Sequence, residues 1–99
     1  MGIPSSKKKQ IKEYCETHGV KSLYLFGSRA RRDDTITSDY DLLIEFKDGS
    51  HISYLDMMIM KSELETILGS GIDLVEGASV VNPIRRSRIL RERTPLYGA

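Results

Sequence analysis

LYLFGSRARRDDTITSDYDLLIEF, residues 23–46, carries most of what the chain says about its architecture. It opens on Leu23-Tyr24-Leu25-Phe26, an unbroken apolar run with two aromatics, which reads as a short strand buried on both faces. Gly27 punctuates the run. Gly27-Ser28 then leads into Arg29-Ala30-Arg31-Arg32, whose composition favours a helix. The expectation is a strand, a tight turn and a helix N-terminus in succession. Free backbone N–H groups and the positive end of a helix dipole meet at such a junction, which suits a phosphate. Gly27 would let that phosphate approach the backbone closely, and the Ser28 hydroxyl can donate one more hydrogen bond. Taken alone the dipeptide names nothing, because turns contain Gly-Ser constantly.

The same stretch ends in a second predicted strand, Ser38 to Phe46, with Leu42, Leu43 and Ile44 apolar in succession and Asp48-Gly49 as its closing turn. Asp39 and Asp41 open it, and a period of two points both carboxylates to one face. Two like charges so close repel unless water or a cation screens them. Hard Mg²⁺ or Mn²⁺ suits carboxylate oxygens, whereas a solvated strand end accounts for the pair without any metal.

Outward from this stretch, Ser5 or Ser6 is expected to cap a first helix carrying Ile11, Tyr14, Cys15 and His18 on one side, ended by Gly19. Cys15 and His18 read there as packing residues. From Ile52 to Leu68 the spacing is helical: Met57, Met60, Leu64, Ile67 and Leu68 form a stripe, with Leu55 and Ile59 beside it. The methionines at 57, 58 and 60 read as core filling. Gly69 and Gly71 stop this helix, and Ile72-Asp73-Leu74-Val75 is a third strand. Asp73 is the odd residue in that run. If its strand lies beside the second, it completes a three-carboxylate cluster able to hold two metal ions about 4 Å apart; on an edge strand it is a surface residue. Asn82 and Pro83 supply the N-cap and first-turn proline of a last helix through about Arg93, which Pro95 ends. The order predicts an α+β (α/β) fold: a small mixed sheet of three or four strands with helices mostly on one face.

Ninety-nine residues make one ordinary domain, residues 1–99, with no internal repeat or linker. Hydrophobic residues are 39% and charged residues 29%, and the formal net charge of +1 names no partner. No apolar run approaches the roughly 20 residues that span a bilayer, and MGIPSSKKKQ lacks the apolar core of a signal peptide. One cysteine excludes an internal disulfide framework and a multi-thiolate zinc site, so a reducing cytoplasm is the expected location. Gly2 and Ser6 with Lys7, Lys8 and Lys9 also match a myristoylation pattern, against which stands a lysine-rich, solvated first helical turn.

Gly27-Ser28, ten intervening residues and then Asp39-x-Asp41 resemble the signature of the nucleotidyltransferase fold of the DNA polymerase beta superfamily. GSRARRDDTITSDYDLLIEF looks like the minimal nucleotidyltransferase (MNT) proteins of prokaryotes. IDLVE is similar to the family's third-carboxylate strand, and NPIRRSRILRERTPLYG to its terminal helix and closing Leu-Tyr segment. The resemblance implies an antitoxin paired with a HEPN-domain ribonuclease toxin, possessing the activity associated with the group: transfer of AMP from ATP to a tyrosine of the toxin. It implies two metal ions held by Asp39, Asp41 and Asp73, with Asp73 as proton acceptor, and the triphosphate held by Gly27, Ser28 and Arg29. One departure is Arg32, where the family commonly has glycine. A partner protein would supply substrate contacts that this short chain lacks.

Two other readings compete. An antitoxin can retain the fold and neutralise its partner by covering it, without turnover. Arg85, Arg86, Arg88, Arg91 and Arg93 raise RNA binding, but the near-neutral total, the absence of tryptophan and the lack of an aromatic stacking platform argue against direct nucleic-acid contact.

Overall fold

The computed structural model describes residues 3–27 and 40–98. Its elements in chain order are α1 (Ser5–Thr17), β1 (Val20–Phe26), β2 (Tyr40–Phe46), α2 (Tyr54–Leu68), β3 (Ile72–Glu76), a short 3₁₀ turn (Gly77–Ser79), α3 (Pro83–Glu92) and β4 (Thr94–Tyr97). The four strands form one mixed sheet in the order β3-β2-β1-β4. β1 runs antiparallel to both β2 and β4, and β2 runs parallel to β3. The helix expected after Gly27 falls on residues outside those described, as does Arg32.

Alternation along the central strands divides the core. Leu23 and Leu25 of β1 and Tyr40, Leu42 and Ile44 of β2 join Ile11 and Cys15 of α1 and Met60, Leu64 and Leu68 of α2 in the larger cluster. Tyr24, Phe26 and Leu43 point the other way, into a smaller cluster with Val80 and Ile89 of α3. Burial on both faces is what the unbroken run Leu23–Phe26 predicted, and the described helices sit two on one face and one on the other.

Local sequence explains most helix ends. Ser53 caps α2: its hydroxyl accepts from the Asp56 N–H at 3.1 Å, while the Asp56 carboxylate accepts from the Ser53 N–H at 2.9 Å. At the other end Gly69 takes φ 68°, a left-handed conformation that side chains resist, and Lys7 Nζ donates to the Leu68 carbonyl at 2.7 Å. Asn82 Oδ1 accepts from the Ile84 and Arg85 N–H groups, and Pro83 opens α3 as predicted.

Three expectations require correction. Neither Ser5 nor Ser6 caps α1; Pro4 occupies the N-cap, where no side-chain hydrogen bond forms. Leu55 and Ile59 are exposed, at 65% and 50%, and so is Met58, so the apolar stripe of α2 is narrower than its spacing implied. His18 is exposed but stacks on Tyr14 with ring centroids 3.9 Å apart. The fourth strand, within the three or four expected, forms around Pro95 at the sheet edge, where a residue without an N–H is tolerated.

Candidate active site

Three strand ends meet on the α3 face of the sheet. In register, Phe26 at the end of β1 pairs with Asp41 in β2, and Asp41 pairs with Asp73 in β3. Residues paired across strands share a face. Phe26 belongs to the smaller cluster, and Asp41 and Asp73 each precede by two a residue of that cluster or packed on it, Leu43 and Val75. Both carboxylates therefore project from the α3 face, on adjacent strands about 4.8 Å apart. Where the apolar cluster stops, the acidic pair begins. Asp41 is half-buried, whereas Asp73 is exposed on an edge strand, which removes the desolvation cost an unpaired buried carboxylate would carry.

Gly27 follows directly from β1 with φ 76°, in the left-handed region that favours glycine. A Cβ built there would collide with Oδ2 of Asp41 and lie 3.0 Å from its Cγ. The glycine thus does two things at once: it turns the chain and leaves the room that the Asp41 carboxylate occupies. Sequence reasoning assigned Gly27 only to a phosphate. Its packing against Asp41 required the β1–β2 register.

The predicted site is otherwise divided by what the structure describes. Gly27, Asp41 and Asp73 come together; Ser28, Arg29 and Asp39 lie outside the described residues. Among the described residues no three His, Cys, Asp or Glu side chains form a metal-holding group. The donors that are described nevertheless suit a hard divalent cation: two carboxylates, adjacent in register and on one face, one of them open to solvent.

One wall of the site was not singled out by sequence. An open cleft of about 180 Å³ lies between α3 and the end of β1, lined by Phe26, Gly27, Arg85, Arg88, Ile89 and Glu92. The arginines read from sequence as one charged helix face. The three-residue spacing of Arg85 and Arg88 was the available signal, since residues three or four apart share a helix side.

Two raised titrations belong to the opposite side of the sheet. Burial pushes the Cys15 thiol up to about 12, so it stays protonated and inert. Burial, followed by donation of its hydroxyl to Glu63 Oε1 at 2.7 Å, raises Tyr14 well above the ordinary phenol range. Both residues join α1 to the larger core and belong to the scaffold.

A strand-turn glycine packed on a carboxylate, with a second carboxylate in register on a parallel neighbour, stands at one end of a mixed sheet. The family model described as Polymerase beta, Nucleotidyltransferase matches residues 9–99, and the chain belongs to this family. It is an enzyme of the nucleotidyltransferase class, acting on a nucleotide substrate. A Methanocaldococcus jannaschii protein named as a candidate protein adenylyltransferase is 41% identical over 92 residues, covering 93% of this chain and 95% of that one. Among solved structures, a toxin-antitoxin crystal structure with AMP-PNP superposes with a TM-score of 0.77 at 19% identity, over 93% of this chain and 73% of that one. A complex of tri-AMPylated Shewanella oneidensis HEPN toxin with MNT antitoxin gives 0.70 at 18% identity, over 95% and 71%. These two likenesses carry the fold. No helix among the described residues is long and apolar enough to cross a membrane.

Proposed function

We propose that this chain is an MNT-type antitoxin that transfers AMP from ATP to a tyrosine of a cognate HEPN ribonuclease toxin. The observation that carries the reading is the in-register pair Asp41 and Asp73 beside the Gly27 turn, in a chain 41% identical to a protein named as a candidate adenylyltransferase. The tri-AMPylated HEPN toxin of the Shewanella oneidensis complex supports the class of acceptor, and the AMP-PNP of the other complex supports ATP as the donor. Toxin and antitoxin would form a hetero-oligomer in the cytoplasm.

In this reading Asp39, Asp41 and Asp73 are the catalytic and metal-holding carboxylates, and Gly27, Ser28 and Arg29 bind the nucleotide. Two Mg²⁺ ions, or Mn²⁺ in their place, would supply charge neutralisation at the triphosphate and acidify the acceptor hydroxyl. Gly27 brings backbone within reach of the β and γ phosphates, which orients the α-phosphorus toward the carboxylates. The phenolic oxygen of the acceptor tyrosine attacks the α-phosphorus in line. A new P–O bond forms, the bond from the α-phosphorus to the bridging oxygen breaks, and pyrophosphate leaves. Asp73 is open to solvent, so it can accept the phenolic proton and pass it to water. Asp41 rests against Gly27, which restrains its carboxylate near the phosphate-binding turn.

Intact-mass spectrometry of the toxin tests the proposal. With Mg²⁺ and ATP the toxin should gain the mass of one or more adenylyl groups. Free tyrosine and short generic peptides should remain unmodified, because the docked toxin supplies the acceptor pocket. An unchanged toxin mass, with wild type and Asp39→Asn neutralising equally well, would replace transfer by inhibition through binding alone.

A further inference from the structure

The five arginines of the last helix do not form one charged face. Arg86 donates from Nη1 to the Gly77 carbonyl at 3.1 Å and holds α3 to the 3₁₀ turn. Arg93, at the C-cap of α3, lies over the Tyr24 ring at 4.2 Å. Both are used within the fold. Arg91 is exposed and does not line the cleft. Arg85 and Arg88 remain: three residues apart, exposed, and lining the cleft whose floor is Phe26 and Gly27. Ile89, buried in the cluster with Phe26, anchors the helix over that floor.

The floor explains why two cations face it. Gly27 contributes no side chain, and its absent Cβ is the space filled by the Asp41 carboxylate. Arg85 and Arg88 on one side and Asp41 on the other therefore flank a single glycine. The acidic side suits a metal; the basic side suits an oxyanion, which a guanidinium can bind through paired N–H donors. Arg88 meets a loose partner in the cleft, its Nε lying 3.5 Å from Glu92 Oε1 with the side chain 63% exposed. At 3.5 Å and with the Arg88 end in solvent, this i,i+4 contact is weak enough for Arg88 to turn to a phosphate.

We infer that Arg85 and Arg88 form a phosphate-binding wall of the nucleotide site, receiving the β- and γ-phosphate end of the triphosphate and retaining it as pyrophosphate leaves. The inference rests on the nucleotidyltransferase reading of the Gly27–Asp41–Asp73 site and adds two residues to it. Because both are exposed on α3, they can be removed with little effect on packing.

Calorimetric titration of the full chain with MgATP and, separately, MgAMP distinguishes the outcomes, with thermal melts as a folding control. Arg85→Ala and Arg88→Ala should each weaken MgATP binding by about tenfold, and the double variant more. AMP binding should change little, because AMP lacks the phosphates the wall receives. Arg91→Ala should behave as wild type, and Arg88→Lys should recover part of the loss. A double variant that binds MgATP as wild type does would overturn the inference while leaving the site reading intact. The same holds if that variant binds MgATP normally but loses the toxin in a co-purification, since the arginines would then serve docking. Equal losses for ATP and AMP would also overturn it. Failure of the wild type, alone and with toxin, to bind MgATP would overturn the site reading itself.

Discussion

The two faces of the sheet use the same strands for different ends. On one face α1 and α2 close over Leu23, Leu25, Leu42 and Ile44, and Leu23, Leu42, Ile44 and Leu64 are fully buried there. On the other, α3 covers only the smaller cluster around Tyr24, Phe26, Leu43, Val80 and Ile89, beyond which lie Asp41, Asp73 and the arginine-lined cleft. Among the described residues, hydrophobic burial is complete on the first face and stops short on the second. A site that must admit a charged substrate needs such an incomplete cover, because close-packed interiors exclude it. The difference between neighbouring residues of β2 expresses this directly: Leu42 faces the closed core, Asp41 the open site.

The sharpest test of the contrast substitutes those neighbours. Asp41→Asn should reduce adenylyl transfer by about a hundredfold or more, with far-UV circular dichroism unchanged. Leu42→Ala should leave a cavity and cost about 2–5 kcal/mol of stability, read from denaturant unfolding. If Asp41→Asn keeps full activity, the open face is not the catalytic one.

The two helix covers should differ by a smaller margin. Leu64→Ala, opening a void in the enclosed cluster, should cost about 1 kcal/mol more than Ile89→Ala, whose site borders an open cleft and can relax or hydrate. Equal midpoint shifts in denaturant would show that α3 is packed as tightly as α2.

At the junction of the faces, Gly27→Ala should lose about 1–2 kcal/mol to its positive φ. The new methyl group should also displace the Asp41 carboxylate and depress transfer. A fully active, fully stable Gly27→Ala protein would break the link between the turn and the carboxylate.

The smallest effect belongs to the closed side. Asp56 is held below the ordinary carboxylate range by the Ser53 backbone N–H first and the Ser53 side chain second. A depressed folded-state pKa stabilises the fold above the unfolded carboxylate pKa and loses that contribution as pH falls through the folded value. The melting temperature of Asp56→Asn should therefore lie below wild type near neutral pH, and the gap should close in acid. A gap independent of pH would remove ionisation of the cap as its cause.

Much of this architecture was legible in one dimension. The run Leu23–Phe26, the Gly69 and Asn82-Pro83 boundaries, and the apolar run of β2 are local signals, because capping, turn chemistry and side-chain alternation act within a few residues, whereas the Ser53 cap, which starts α2 two residues after the expected Ile52, was not read. The helix cover of Leu55, Met58 and Ile59 was not legible, since helical spacing marks an apolar side without stating how wide a neighbour covers it. Nor was β4, whose Thr-Pro-Leu-Tyr becomes a strand only by pairing with β1 from the far end of the chain.

For the site, the order of residues was enough to establish which chemical groups were present and to set up the expectation that Asp39 and Asp41 share a strand face. It took the folded sheet to stand Asp73 beside Asp41, to give the side-chain space of Gly27 to that carboxylate, and to line the adjoining cleft with Arg85 and Arg88 but not with Arg86 or Arg93. The cause is register. A shift of one residue between strands would reverse which side chains share a face, and that choice is set by burial of the whole sheet rather than by any segment of it.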